Sequence, residues 1–210
     1  MNEEGAMRDG LEQLKSVMLL LHEEEAAGDT VDWGVAATEL GVPSFPSDYR
    51  DFVTSFGAGS IEDSVYVWVP RPGTTGAPLT VGRLPASAVG SESMRVWQGS
   101  EAGSRHRLED MLVWGQTSSA DALCWVASDL DPDNWPVAVW ERQGGGWQVH
   151  DVGMVEFLLG LLRGTFPTCP VSDETLWRVR SARFLNFRDE ERSLDAGVDP
   201  WTGRRLNRFD

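Results

Sequence analysis

The chain has 210 residues, of which 41% are hydrophobic and ten are tryptophan, and a formal net charge of −15. That length suits one large domain or two small ones. The acidic balance speaks against nucleic acid, whose phosphates need a basic surface, and two cysteines, Cys124 and Cys169, are too few for a disulfide framework.

In chain order, residues 1–9 read as a frayed start. Residues 11–27 (LEQLKSVMLLLHEEEAA) read as a helix with Leu11, Leu14, Met18 and Leu21 on one face. The apolar run within it, VMLLL at 17–21, is far too short to span a membrane. His22-Glu23-Glu24-Glu25 behind it is the wrong flank for a signal peptide, so a cytoplasmic location is expected. A turn at Gly28-Asp29 precedes a second helix over 31–40, with Thr30 as candidate cap and Gly41 as its stop.

Residues 45–63, FPSDYRDFVTSFGAGSIED, carry the clearest local pattern. Tyr49, Phe52, Val53 and Phe56 stand at i, i+3, i+4 and i+7, which lines one helix face. Pro46 suits a first turn. Ser47 and Asp48 suit the positive end of the helix dipole, and Gly57 suits the left-handed residue after the last turn. Ser64–Pro70 then reads as a strand.

Residues 71–83 are loop-like by their Pro and Gly content, and 85–97 read as a helix. Four short apolar runs follow, at 112–115, 122–127, 137–140 and 147–150. The punctuation between them, QTSSAD, SDLDPDNWP and Gly144-Gly145-Gly146, predicts an antiparallel meander. Residues 154–164 (MVEFLLGLLRG) read as an apolar helix covering one sheet face. Beyond 171, a helix start at Ser172–Glu174, a mixed-charge surface helix over SARFLNFRDEERSLDAG and a tail docked by Trp201 are expected. The expectation is an α+β domain over 1–170, with an antiparallel-dominated sheet, N-terminal helices and a covering helix. Residues 171–210 would be a helical or tail extension packed on it.

No catalytic constellation emerges. Asp129–Asn134 resembles the start of a calcium loop, but Asn134 and Trp140 stand where that loop needs Gly and Glu; a turn is the better reading. Gly57-Ala58-Gly59 lacks the third glycine of a phosphate fingerprint, since Glu62 stands there, and it follows a helix rather than a strand. His22 reads as solvated and His106 as a loop residue. A pair of Cys124 with His150 would need neighbouring strands. No cofactor or metal is expected.

The acid excess is uneven. Residues 171–210 hold eight acids and eight bases, whereas 1–170 hold 25 acids against 10 bases. Solubility alone accounts for such a balance, and a basic protein partner is compatible with it.

Phe45-Pro46-Ser47-Asp48-Tyr49-Arg50-Asp51-Phe52-Val53 running into Phe56-Gly57-Ala58-Gly59 resembles the SUKH superfamily, which takes in fungal cell-wall assembly regulator-like proteins and bacterial immunity proteins. Trp33 with Leu40-Gly41 matches its lead-in helix, and Leu112-Val113-Trp114-Gly115, Trp140 and Trp147 match its sheet region, so the resemblance covers residues 30–165. It implies an α+β scaffold without a shared catalytic constellation, and for many bacterial members direct binding of a cognate toxin, often a nuclease. On that basis the chain is expected to be a non-enzymatic protein-binding domain, an immunity protein against a basic toxin. The alternative is a regulatory adaptor of the same fold; an enzyme is disfavoured by the scarcity of His and Cys. Neither nucleic acid nor membrane is an expected partner. The expected binding face comprises Glu62 and Asp63 after the glycines, and Asp129, Asp131 and Asp133 in the later turn.

Overall fold

The structure, a computed structural model, describes residues 3–21, 28–74, 79–91, 97 and 100–206. Its helices are α1 (Glu3–Val17), α2 (Trp33–Leu40), α3 (Ser47–Ser55), α4 (Ala86–Val89), α5 (Glu101–Arg105), α6 (Met154–Arg163) and α7 (Phe187–Asp195). Its strands are β1 (Met18–Leu20), β2 (Gly59–Ile61), β3 (Val65–Val67), β4 (Gly82–Arg83), β5 (Met111–Thr117), β6 (Ala122–Val126), β7 (Val137–Glu141), β8 (Gly146–His150) and β9 (Ala182–Asn186). Among the described residues the strands form one open nine-stranded sheet in the order β1-β9-β2-β3-β5-β6-β7-β8, with β4 also paired to β5. Every pairing is antiparallel except β1 with β9. The fold is thus α+β with an antiparallel-dominated sheet.

Local chemistry explains the elements that the pattern predicts. Helix α2 is capped by Asp32, whose carboxylate accepts the Val35 N–H at 3.0 Å, rather than by Thr30, and it ends on left-handed Gly41. Helix α3 buries Tyr49, Phe52 and Val53, and Gly57 after it has φ 72°, a conformation cheap only for glycine. Gly59 is required for contact: a Cβ there would lie 2.2 Å from the Leu185 carbonyl oxygen of β9.

Alternation along β6 and β7 divides the core in two. Leu123, Trp125, Val137 and Val139 join α1, α3 and α6 in the larger cluster. Cys124, Val126, Ala138 and Trp140 join Trp97, Leu108 and Trp147 on the other face. Full burial of side chains this size stabilises by about 1.5–3 kcal/mol each.

Four expectations need correction. The first helix stops at Val17, and Met18–Leu20 pairs as a strand with β9; residues 22–27 lie outside the described residues. Gly82–Arg83, inside the expected loop, pairs with β5. The helix expected over 85–97 is α4 alone up to Gly90, with 92–96 outside the described residues. The C-terminal segment is not purely helix and tail: Ala182–Asn186 lies between β1 and β2 in the sheet. Its residues Ala182 and Phe184 alternate into the core about exposed Arg183, a half-buried strand pattern that the following charges obscure.

Candidate functional site

Neither α3 nor α6 carries a side-chain cap of its own, because Pro46 and Gly153 stand at their N-cap positions. Their free N–H groups are met from elsewhere in the chain. Ser47 N–H donates to Asp133 Oδ1 at 2.6 Å, from the β6–β7 turn. Val155 N–H donates to Asp48 Oδ2 at 2.9 Å. Gly153 is needed for the second contact, since a Cβ there would lie 2.7 Å from that oxygen. The start of α3, the β6–β7 turn and the start of α6 are thereby held together.

Between them lies a groove of about 500 Å³, with Gly10 and Gln13 of α1 along one side. Its floor and walls are mostly apolar: Pro46, Pro132, Trp135, Val155 and Leu159. Its charges are Asp48, Asp133 and Glu156, and among the described residues lining it none is Lys, Arg or His. Asp48 is buried. Burial pushes its carboxyl above the usual range against the N–H bond from Val155, and the nearby charges of Asp133 and Asp51 add to the rise. Glu156 is exposed.

The turn beside the groove is closed by its own hydrogen bonds. Asp129 Oδ1 accepts the Asp131 N–H at 2.8 Å and Asp131 Oδ1 the Asp133 N–H at 3.1 Å. Trp135 Nε1 donates to the Asp129 carbonyl at 2.8 Å. Asp, Pro and Asn thus build a turn closed by its own side chains. At its tip Leu130 is 89% exposed, flanked by exposed Asp129 and Asp131.

The expected face is divided. Val65 of β3 pairs with Thr117, at the end of β5 that leads into the β5–β6 turn. Met111, at the other end of β5, pairs with Val126, which leads into the β6–β7 turn. Glu62 and Asp63 therefore sit at one end of the sheet, and Asp129, Asp131 and Asp133 at the other. Glu62, moreover, is engaged. It accepts from the Arg183 backbone at 2.8 Å and from the guanidinium at 2.9 and 2.7 Å, and these bonds hold its carboxyl below the usual range. Asp63 is exposed and accepts from the Tyr66 hydroxyl at 2.8 Å. Burial, with the Asp63 bond and charge, pushes that phenol up to about 12.

Asp48 and Glu156 complete the groove and were not among the expected site residues. Asp48 has the pattern of a carboxylate serving its own helix. The available signal was the capless start of α6: no Ser, Thr, Asp or Asn stands immediately before its apolar run, so a partner had to come from a distant segment.

The remaining candidates do not combine. Cys124 and His150 lie on β6 and β8 with β7 between them. Alternation sends Cys124 into the cluster with Trp140, while the His150 ring packs on Phe157 and Phe166 of the opposite face, with centroids 5.5 and 4.8 Å away. Burial raises the Cys124 thiol well above its ordinary range. The Ala58 N–H of the Gly-Ala-Gly turn is already taken by Asp29 Oδ2 at 2.6 Å. His22 lies outside the described residues. Among the described residues no three His, Cys, Asp or Glu side chains converge as a metal set, and no helix is long and apolar enough to cross a membrane.

Chemically, an apolar trough lined by carboxylates can take the methylene stem of a Lys or Arg along its surface, with the charged head at a carboxylate. No protein-family model matches the chain, no curated protein is significantly similar to it, and no solved structure matches it.

Proposed function

We propose that this protein is a non-enzymatic protein-binding domain of SUKH type, an immunity protein that neutralises a basic protein toxin by occupying its surface. One observation carries the reading: an apolar groove lined by exposed Asp133 and Glu156, with buried Asp48 inside it, beside a turn whose tip exposes Leu130. An apolar centre with a charged rim is the anatomy of a protein interface, and the sign of the rim selects a basic partner. The helix–Gly–strand unit from Pro46 to Val67 is the part of the scaffold that carries the resemblance, and it positions one wall of the groove.

The test begins with affinity capture and mass spectrometry to identify the partner, followed by binding kinetics. Glu156→Lys is the clean variant, because the Glu156 side chain makes no hydrogen bond or ion pair among the described residues. It is expected to slow association at low salt, and the difference should shrink as salt rises. Leu130→Ser is expected to speed dissociation. On- and off-rates unchanged in both variants would remove the groove from the interface. The toxin reading is tested separately by co-expression with the captured partner: growth that is arrested by the partner alone and not restored by this protein overturns it.

A further inference from the structure

The opposite end of α6 carries the complement of the groove. Arg178, Val179 and Arg180 form an exposed knob in which Val179 is 40% exposed. Both arginines are left-handed, at φ 66° and 62°, a conformation that non-glycine residues seldom adopt. They are held there by backbone bonds. Arg178 N–H donates to the Leu161 carbonyl at 3.3 Å, and Arg180 N–H to the Leu162 carbonyl at 3.0 Å. These acceptors belong to the last turn of α6, where the helix ladder ends; the Leu161 carbonyl also accepts from the Gly164 N–H at 3.3 Å. The Arg178 guanidinium carbon stands 5.0 Å from the centre of the Trp177 ring, so the knob is braced on both sides.

The groove presents apolar surface with the carboxylates of Asp133 and Glu156 in its lining; the knob presents exposed Val179 flanked in the chain by exposed Arg178 and Arg180. The groove is built on the first turns of α6 and the knob on its last. A ten-residue helix separates them by about 15 Å. Single charges at the two ends would complement the helix dipole alone. Apolar surface with paired charges at both ends goes beyond that.

We infer that the knob of one copy docks in the groove of the next, so that the free protein self-associates head to tail. The inference does not depend on the toxin reading. The contact joins two different patches of the same chain, so it is heterologous and leaves a free knob and a free groove at the ends of each assembly. The net charge of −15 opposes close approach, but at physiological salt that repulsion is screened beyond about 8 Å, whereas the knob–groove pairs act at contact.

Sedimentation velocity on the purified full chain near physiological salt tests this. The expected result is a sedimentation coefficient that rises with concentration and passes beyond the dimer. Arg178→Glu with Arg180→Glu gives a copy with acidic knob and acidic groove; Glu156→Lys gives a copy with a less acidic groove. Each alone should lose association by at least tenfold in concentration, and mixing the two should restore association as far as a heterodimer, because the native knob of the Glu156→Lys copy meets the native groove of the double arginine variant. A parent that stays monomeric up to about 1 mM overturns the inference. So does association that neither variant weakens, or that mixing does not restore. Should the double arginine variant fail to fold, Glu156→Lys, on an exposed helix face, still decides whether the groove is used, and Val179→Asp decides whether the knob is.

Discussion

The carboxylate of Asp48 in the first turn of α3 accepts the backbone N–H of Val155 in the first turn of α6, 107 positions later, at 2.9 Å. One side chain thus fixes the start of a distant helix and the back of the groove at once.

Asp48→Ala should cost about 1–2 kcal/mol, the scale of a lost cap, read from urea unfolding. Asp48→Asn keeps an oxygen for Val155 and removes the titration. Burial raises the folded-state pKa of Asp48, so the folded state takes up its proton before the unfolded state does. The stability of the parent relative to the Asn variant should therefore rise as pH falls from neutral through the raised value, and level off below the ordinary value of 3.8. A parent–variant difference that is flat with pH counts against the raised value.

His150 shifts the other way. Burial between Phe157 and Phe166 lowers its pKa below 6.5, so the unfolded state protonates first. The stability it contributes is whole above pH 6.5 and is lost as pH falls from there through the folded-state value. His150→Phe should remove that part of the acid sensitivity. If the urea midpoints of parent and variant run parallel from pH 8 to about pH 5, well below the ordinary histidine value, this reading of the site is wrong.

Phe52 and Phe56 have their ring centres 5.7 and 5.4 Å from that of Phe184 of β9. Truncating either to Ala should cost about 3–5 kcal/mol. Because all three rings touch, Phe52→Ala combined with Phe184→Ala should depart from the sum of the single costs. Strict additivity in a denaturation cycle would contradict the packing of α3 on β9.

Truncations should separate the C-terminal segment into two parts. Ending the chain after residue 181 removes β9, and with it the pairing of β1 and β2; no cooperative unfolding transition is expected. Ending it after residue 199 removes Trp201, whose ring centre lies 5.3 Å from the Arg183 guanidinium carbon. That should cost less than about 3 kcal/mol, the scale of burying one large side chain. Equal melting curves for the two truncations would overturn the distinction.

Elements with a self-contained pattern were legible from sequence: the apolar stripe of α3 with Gly57, the punctuated strands β5 to β8, and α6. The strands β1 and β9 were not. Met18 continues the spacing of Leu11 and Leu14, so three strand residues read as one more helical turn, and the pairing that overrides this comes from Ala182–Phe184. The groove was half legible. Of Asp129, Asp131 and Asp133, expected as part of a binding face, only Asp133 lines the groove, and Asp48 and Glu156 joined it only through the fold. The pairing of Glu62 was not legible, because its partner, Arg183, sits on a strand that the sequence pattern did not disclose.

The place of β9 between β1 and β2 bears on how the chain is made. Arg183 follows Glu62 by 121 positions. A ribosome adding about 5–20 residues per second needs roughly 6–24 s to cover that interval. Throughout it β2 has emerged without the neighbour it will hold on its outer side, and its backbone donors and acceptors there are open to any extended segment that passes. The nascent chain therefore has a defined period of vulnerability, which closes when residues 182–186 clear the exit tunnel.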